Sequence, residues 1–92
     1  MSKLNLGIIG AGPITKFHLD VIINIKPFRI FGITSRTNKN CIKYKEKYNI
    51  FKIYNNYKEM ILDKNIDAII ILVSPSSMTK VIRDVIIAKK PF

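Results

Sequence analysis

The feature that most constrains this chain lies near its start, in "LNLGIIGAGPITKFHLDVIINI", Leu4 to Ile25. An apolar run with strand character reaches Gly10 and Gly12 and passes directly into residues of helical period. Glycine adopts positive φ at little cost, so a chain can leave a strand sharply there. Pro13 suits a first helical turn, where its missing N–H would be unpaired in any case. A strand that turns at once into a helix needs a crossover before the next strand, and the next strand then runs parallel to the first.

The rest of the chain repeats that alternation. Further apolar runs predict strands at Arg29 to Thr34, Ile50 to Tyr54 and Ala68 to Val73, and "DAIIILV" is apolar on consecutive residues, as a strand covered on both faces must be. Between them, segments of helical period predict four helices. In the first, Ile14, Phe17, His18, Val21, Ile22 and Ile25 fall on one stripe expected to face the sheet, with Pro27 ending the helix. His18 on that stripe is expected to pack or hydrogen-bond rather than to do chemistry. The second, Asn38 to Tyr48, sets Cys41, Tyr44 and Tyr48 on one side and stops at Asn49. Asn56 and Glu59 form a capping pair for a short third helix to about Leu62. The fourth turns Met78, Val81, Ile82, Val85 and Ala88 inward, with Lys80, Arg83 and Asp84 outside, and ends near Lys90. The expected fold is α/β: a partial Rossmann fold, a parallel sheet of about four strands in the order 3-2-1-4 with helices on both faces.

Composition narrows the setting. A single cysteine, Cys41, excludes an intramolecular disulfide and a cysteine zinc cluster, which fits a reducing, cytoplasmic location. The longest apolar run, Ala68 to Val73, is far short of the ~20 residues of a membrane helix. The net charge of +10 raises the question of a polyanion partner. Lysines and arginines are spread from Lys3 to Lys90, however, and the chain is also heavy in Ile and Asn. Biased composition therefore accounts for the charge better than a nucleic-acid site, which remains the weakest alternative.

Gly10-Ala11-Gly12-Pro13-Ile14-Thr15 is a G-x-G-x-x-T version of the dinucleotide fingerprint. The first glycine permits the turn, the second lets backbone approach a pyrophosphate, and the helix N-terminus favours the anion. Thr15 takes the place of the third glycine, where its bulk should hold the helix away from the strand and its hydroxyl could face the phosphate. After the second strand, where an acidic residue usually accepts ribose hydroxyls, stand Ser35, Arg36 and Thr37. Two hydroxyls and a guanidinium suit a 2′-phosphate, which favours NADP over NAD. The loop Ser74-Pro75-Ser76-Ser77 meets the glycine turn at the switch point of the sheet, with Ser76 or Ser77 also available to cap the fourth helix.

"GIIGAGPITKFHLDVI", "GITSRTNKN", "EKYNIFKIYNNYKEMILDKNIDAIIILVSP" and "VIRDVIIAKKPF" together resemble the N-terminal nucleotide-binding domain of the glucose-fructose oxidoreductase, inositol dehydrogenase and rhizopine-catabolism (Gfo/Idh/MocA) family. The resemblance covers nearly the whole chain. It implies hydride transfer between NAD(P) and a hydroxyl or carbonyl carbon of a sugar, inositol or related compound, and a homo-oligomer for a full-length relative. It implies cofactor contacts from Gly10, Gly12, Pro13 and Ile14, from Ser35, Arg36 and Thr37 in the NADP-like version, and from Ser74, Pro75 and Ser76. Thr79 departs from the family, many of whose members carry a histidine there. The family's Glu-Lys-Pro motif and its substrate domain have no counterpart in residues 1–92, so no catalytic residue and no metal site is assigned. Lys90-Pro91 only mimics the tail of that motif, and Lys90 is expected to complement the dipole of the fourth helix. Residues 1–92 are expected to form an incomplete cofactor domain, inactive alone, with an unpartnered outer edge on the fourth strand. The alternative is a non-catalytic nucleotide-binding or sensing module completed by another chain.

Overall fold

The computed structural model describes residues 4–25, 28–36 and 38–92. Four strands, β1 (Leu4–Ile9), β2 (Phe28–Thr34), β3 (Lys52–Ile53) and β4 (Ala68–Ile71), alternate with four helices, α1 (Pro13–Ile22), α2 (Asn38–Tyr48), α3 (Tyr57–Ile61) and α4 (Pro75–Ile87). All pairings are parallel and the order is β3-β2-β1-β4, as the alternation predicts. β3 is shorter than its apolar run, with two paired residues.

The sheet separates two cores. On one face Ile8, Ile30 and Ile33 pack with Leu19 and Ile22 of α1 and Cys41, Tyr44 and Tyr48 of α2. On the other, Ile9, Phe31 and Ile69 pack with Met60 and Ile61 of α3 and Val81 and Val85 of α4. Gly7 and Gly32 face this second core, and a Cβ on either would lie 2.6 Å from Met60 Sδ or 2.3 Å from Tyr54 Cε1. Small residues in the two central strands thus admit large side chains from the α3 side. β4 is half-buried along most of its length, as an edge strand is.

The stripe of α1 differs from its expectation. Thr15, Leu19 and Ile22 are its buried residues, while Ile14 (58%), Phe17 (67%) and Val21 (59%) are exposed, as are His18 and Ile25. Two apolar stripes coexist on this helix, and the shorter one, set by the glycine turn, meets the sheet. His18 therefore does not pack in the core. Thr15 is fully buried and its hydroxyl has no hydrogen-bond partner. The helix ends at Ile22 in a series of turns, and Pro27 lies outside the described residues.

Other boundaries follow local chemistry. Asn56 Oδ1 accepts from the Glu59 N–H at 2.9 Å, the expected cap of α3. Asn49 takes φ +55° after α2, and the Ile50 N–H returns to the Lys45 carbonyl at 3.0 Å. At α4 the cap is Ser74 rather than Ser76 or Ser77; its carbonyl accepts from Ser77 and Met78, while its hydroxyl pairs with that of Ser76 at 3.1 Å. Lys90 does not serve the α4 terminus. Its ammonium donates to the carbonyls of Asp63 (3.0 Å) and Ile66 (2.6 Å), bracing the turn that leads into β4. The outer edge of β4 also carries one contact, from the Ile69 N–H to the Pro91 carbonyl at 2.8 Å.

Candidate cofactor site

At the C-terminal ends of the strands the glycine turn opens into a cleft of about 660 Å³. Its walls are the end of β1 with Gly10, Ala11 and Gly12, the end of β2 with Thr34, Ser35 and Arg36, and the end of β4 with Leu72, Val73 and Ser74. Asn40 of α2, Asn55, Asn56 and Tyr57 at the start of α3, and Ser76, Ser77, Lys80 and Val81 of α4 complete it.

The two glycines do different work. Gly10 has φ +123°, and a Cβ there would lie 2.2 Å from the Leu72 carbonyl oxygen, while its N–H donates to the Thr34 carbonyl at 2.7 Å. It ties the ends of β1, β2 and β4 together. Gly12 has an extended backbone and caps α1, and a Cβ there would meet no atom within 4 Å. Its missing side chain leaves room in the cleft for a ligand to approach the main chain. The Thr15 N–H is spent on the Gly12 carbonyl at 3.1 Å and Pro13 has none, so among the described residues the N–H groups of Gly12 and Ile14 have no protein partner. Unpaired donors at a helix start suit an anion.

The tyrosine side of α2 holds this turn in place. Tyr44 donates to the Gly12 carbonyl at 3.1 Å, and Tyr48 donates to Asp20 of α1 at 2.5 Å. Burial, reinforced by the Asp20 carboxylate, pushes the Tyr48 hydroxyl up to about 12. Across the cleft, Tyr57 donates to Asp84 of α4 at 2.5 Å, and that bond with the adjacent negative charge pushes Tyr57 up to about 12. The buried Cys41 thiol donates to the Ser35 hydroxyl at 3.3 Å beneath the β2 end, and burial raises its pKa.

Of the residues singled out in the sequence, Gly10, Gly12, Ser35, Arg36, Ser74 and Ser76 line one cleft. Pro13, Ile14 and Pro75 are exposed and do not line it. Thr37 lies outside the described residues. Thr15 is buried beneath the turn and does not line the cleft, so its hydroxyl does not face a phosphate there. Ser77, expected at the crevice with its loop, lines it too, and Asn40, Asn55, Asn56, Tyr57 and Lys80 join the site without having been assigned to it. The α3 start follows β3, and every strand of a parallel sheet delivers its next loop to the same end; that rule was the available signal for Asn55 to Tyr57. Among the described residues that line the cleft there are two cations, Arg36 and Lys80, and no carboxylate. No cluster of metal-ligating side chains occurs among the described residues, and no helix among them is long and apolar enough to cross a membrane.

Known structures share this fold. The fold matches that of a "probable dehydrogenase" from Thermotoga maritima with a TM-score of 0.88 and 28% identity, over 95% of this chain and 26% of that one. It matches scyllo-inositol dehydrogenase from Lactobacillus casei with bound NAD(H) and scyllo-inositol at 0.87 and 21% identity, over 97% and 26% of the two chains. Myo-inositol 2-dehydrogenase from Lactobacillus plantarum matches at 0.87 and 24%, over 97% and 26%. The chain therefore spans about a quarter of the length of these structures. A search of curated protein sequences returns no match. The profile of the GFO_IDH_MocA oxidoreductase family, described by its NAD-binding Rossmann fold, matches residues 4–91, and the chain belongs to that family.

Proposed function

We propose that this chain is the cofactor-binding part of an NAD(P)-dependent oxidoreductase that prefers NADP, with a sugar, inositol or related hydroxyl or carbonyl compound as the substrate of the whole enzyme. The observation that carries the reading is the cleft itself: Gly12 leaves its floor open to a pyrophosphate, Arg36 stands after β2, and no carboxylate lines it among the described residues. An acidic residue after β2 would repel a 2′-phosphate, whereas a guanidinium attracts one. The bound cofactor would supply the hydride acceptor or donor. The chain's own part is to seat the phosphates on the Gly12 and Ile14 N–H groups, to order the turn through Tyr44, and to select the ribose with Ser35, Arg36 and Thr37. The substrate-binding part and the groups that handle the substrate proton are proposed to lie outside residues 1–92, so these residues alone should give no turnover.

Calorimetric titration of the chain with NADPH and NADH tests this. NADPH should bind more tightly, and Arg36→Ala should remove the difference. Equal affinities that Arg36→Ala leaves unchanged would defeat the NADP preference, and binding of neither cofactor would defeat the site. A second reading, a non-catalytic nucleotide-binding module completed by another chain, draws on the pairing of Pro91 with the outer edge of β4, where a further strand could continue. It predicts a stable complex that binds the cofactor and transfers no hydride.

A further inference from the structure

Lys80 is the second cation of the cleft, and its surroundings leave it without an obvious structural role. It follows Ser76 and Ser77 by four and three residues on α4, so the three share a face, and all line the cleft. Its ordinary helical partner would be Asp84, four residues on. Asp84 instead receives the Tyr57 hydroxyl at 2.5 Å. A lysine N-terminal to its acid is also the weaker orientation of such a pair. Among the described residues the ion pair within 4 Å is Lys16 with Asp20, and Lys80 has none.

Arg36 and Asn40 line the same cleft. Two cations lining one cleft that has no carboxylate among its described lining residues make it attractive to an anion. The glycine turn offers backbone N–H groups to a pyrophosphate, so that group does not require the cations. A ligand with one more phosphate does. We propose that Lys80 works with Arg36 as a specificity-determining residue for the 2′-phosphate of the adenosine half of the cofactor. The inference rests on the NADP reading above and extends it to the α4 wall. The Tyr57–Asp84 bond is the positioning element, since it holds the Asp84 carboxylate toward the start of α3 while Lys80 lines the cleft.

Two ligands of similar charge isolate the effect: adenosine 2′,5′-bisphosphate and adenosine 5′-diphosphate, titrated into the chain and its Lys80→Ala, Lys80→Arg and Arg36→Ala variants. The wild-type chain should prefer the bisphosphate. Lys80→Ala should weaken bisphosphate binding about 5- to 10-fold, the range for a charge-assisted contact in a partly solvated site, with diphosphate binding changed less than about 2-fold. Lys80→Arg should restore the preference. If Arg36→Ala abolishes the preference while Lys80→Ala retains it, the NADP reading stands and this inference falls. If Lys80→Ala weakens both ligands equally, Lys80 serves the 5′-phosphates and the inference also falls. If the wild-type chain shows no preference, the NADP reading itself fails and takes the inference with it.

Discussion

Replacing the two glycines of the turn by alanine should separate folding from binding. At Gly10 the new Cβ would lie 2.2 Å from the Leu72 carbonyl oxygen, at a φ of +123° that side chains rarely adopt. The backbone strain costs about 1–3 kcal/mol. Relieving the contact requires the end of β4 to shift by more than about 1 Å to reach ordinary contact distance, which strains the 2.8 Å bond from the Leu72 N–H to the Ile9 carbonyl. Losing that bond adds about 1 kcal/mol. The sum, about 2–4 kcal/mol, is a large part of the ~5–14 kcal/mol expected for a folded chain of 92 residues. At Gly12 a Cβ meets nothing within 4 Å and the backbone is extended, so stability should change by less than about 1 kcal/mol, the cost of a poorer N-cap. The same Cβ would occupy the room left for the pyrophosphate and should weaken NADPH binding by about 10-fold or more. Urea denaturation followed by circular dichroism reads the first effect, and calorimetry the second. A Gly10→Ala chain with the wild-type midpoint, or a Gly12→Ala chain with wild-type affinity, would refute the division of labour between the two positions.

Other outcomes test the supports of the site. Tyr44→Phe removes the bond to the Gly12 carbonyl and should cost about 0.5–1.5 kcal/mol, together with a several-fold loss of NADPH affinity; a loss of neither would mean that the turn holds without α2. The two stripes of α1 should respond oppositely: Leu19→Ala should lower stability by about 2–5 kcal/mol, and Phe17→Ser and Val21→Ser should each change it by less than about 0.5 kcal/mol. Tyr48 and Tyr57 are raised to about 12 in the folded chain, so their stabilisation is complete below pH ~10 and is lost as pH rises toward 12. A pH titration of the urea midpoint should show that decline, and Tyr57→Phe should flatten part of it. Asp63 runs the other way. The Tyr54 hydroxyl and the Asn65 N–H hold its carboxyl below the ordinary value of 3.8, so its contribution is present above pH ~4 and disappears as pH falls further. Asp63→Asn should reduce the acid sensitivity of the midpoint, and an unchanged acid limb would exclude Asp63 as a cause.

Much of this protein is legible along the chain because its signals are local. The strand order follows from short apolar runs alternating with helices, since a parallel sheet with right-handed crossovers leaves few other paths. The caps at Asn56 and Asn49 and the turn at Gly10 are each specified within a few residues. Two helical stripes on α1 could not be ranked that way. Both have helical spacing, and only the direction in which Gly10 to Gly12 release the helix decides that Leu19 meets the sheet and Phe17 meets solvent. The capping residue of α4 is Ser74 for a local reason, because Pro75 already occupies the first helical position.

The site divides along the same line. The glycine turn and the Ser35-Arg36 end of β2 are readable along the chain, since each is a contiguous motif whose geometry follows from its own residues. Packing settled what no stretch of chain specifies: that Lys80 enters this cleft, that Tyr44 holds the turn, and that Lys90 braces the approach to β4. Those contacts join residues tens of positions apart, and their distances depend on how two helices lean on one sheet, a property of packing that no local spacing encodes.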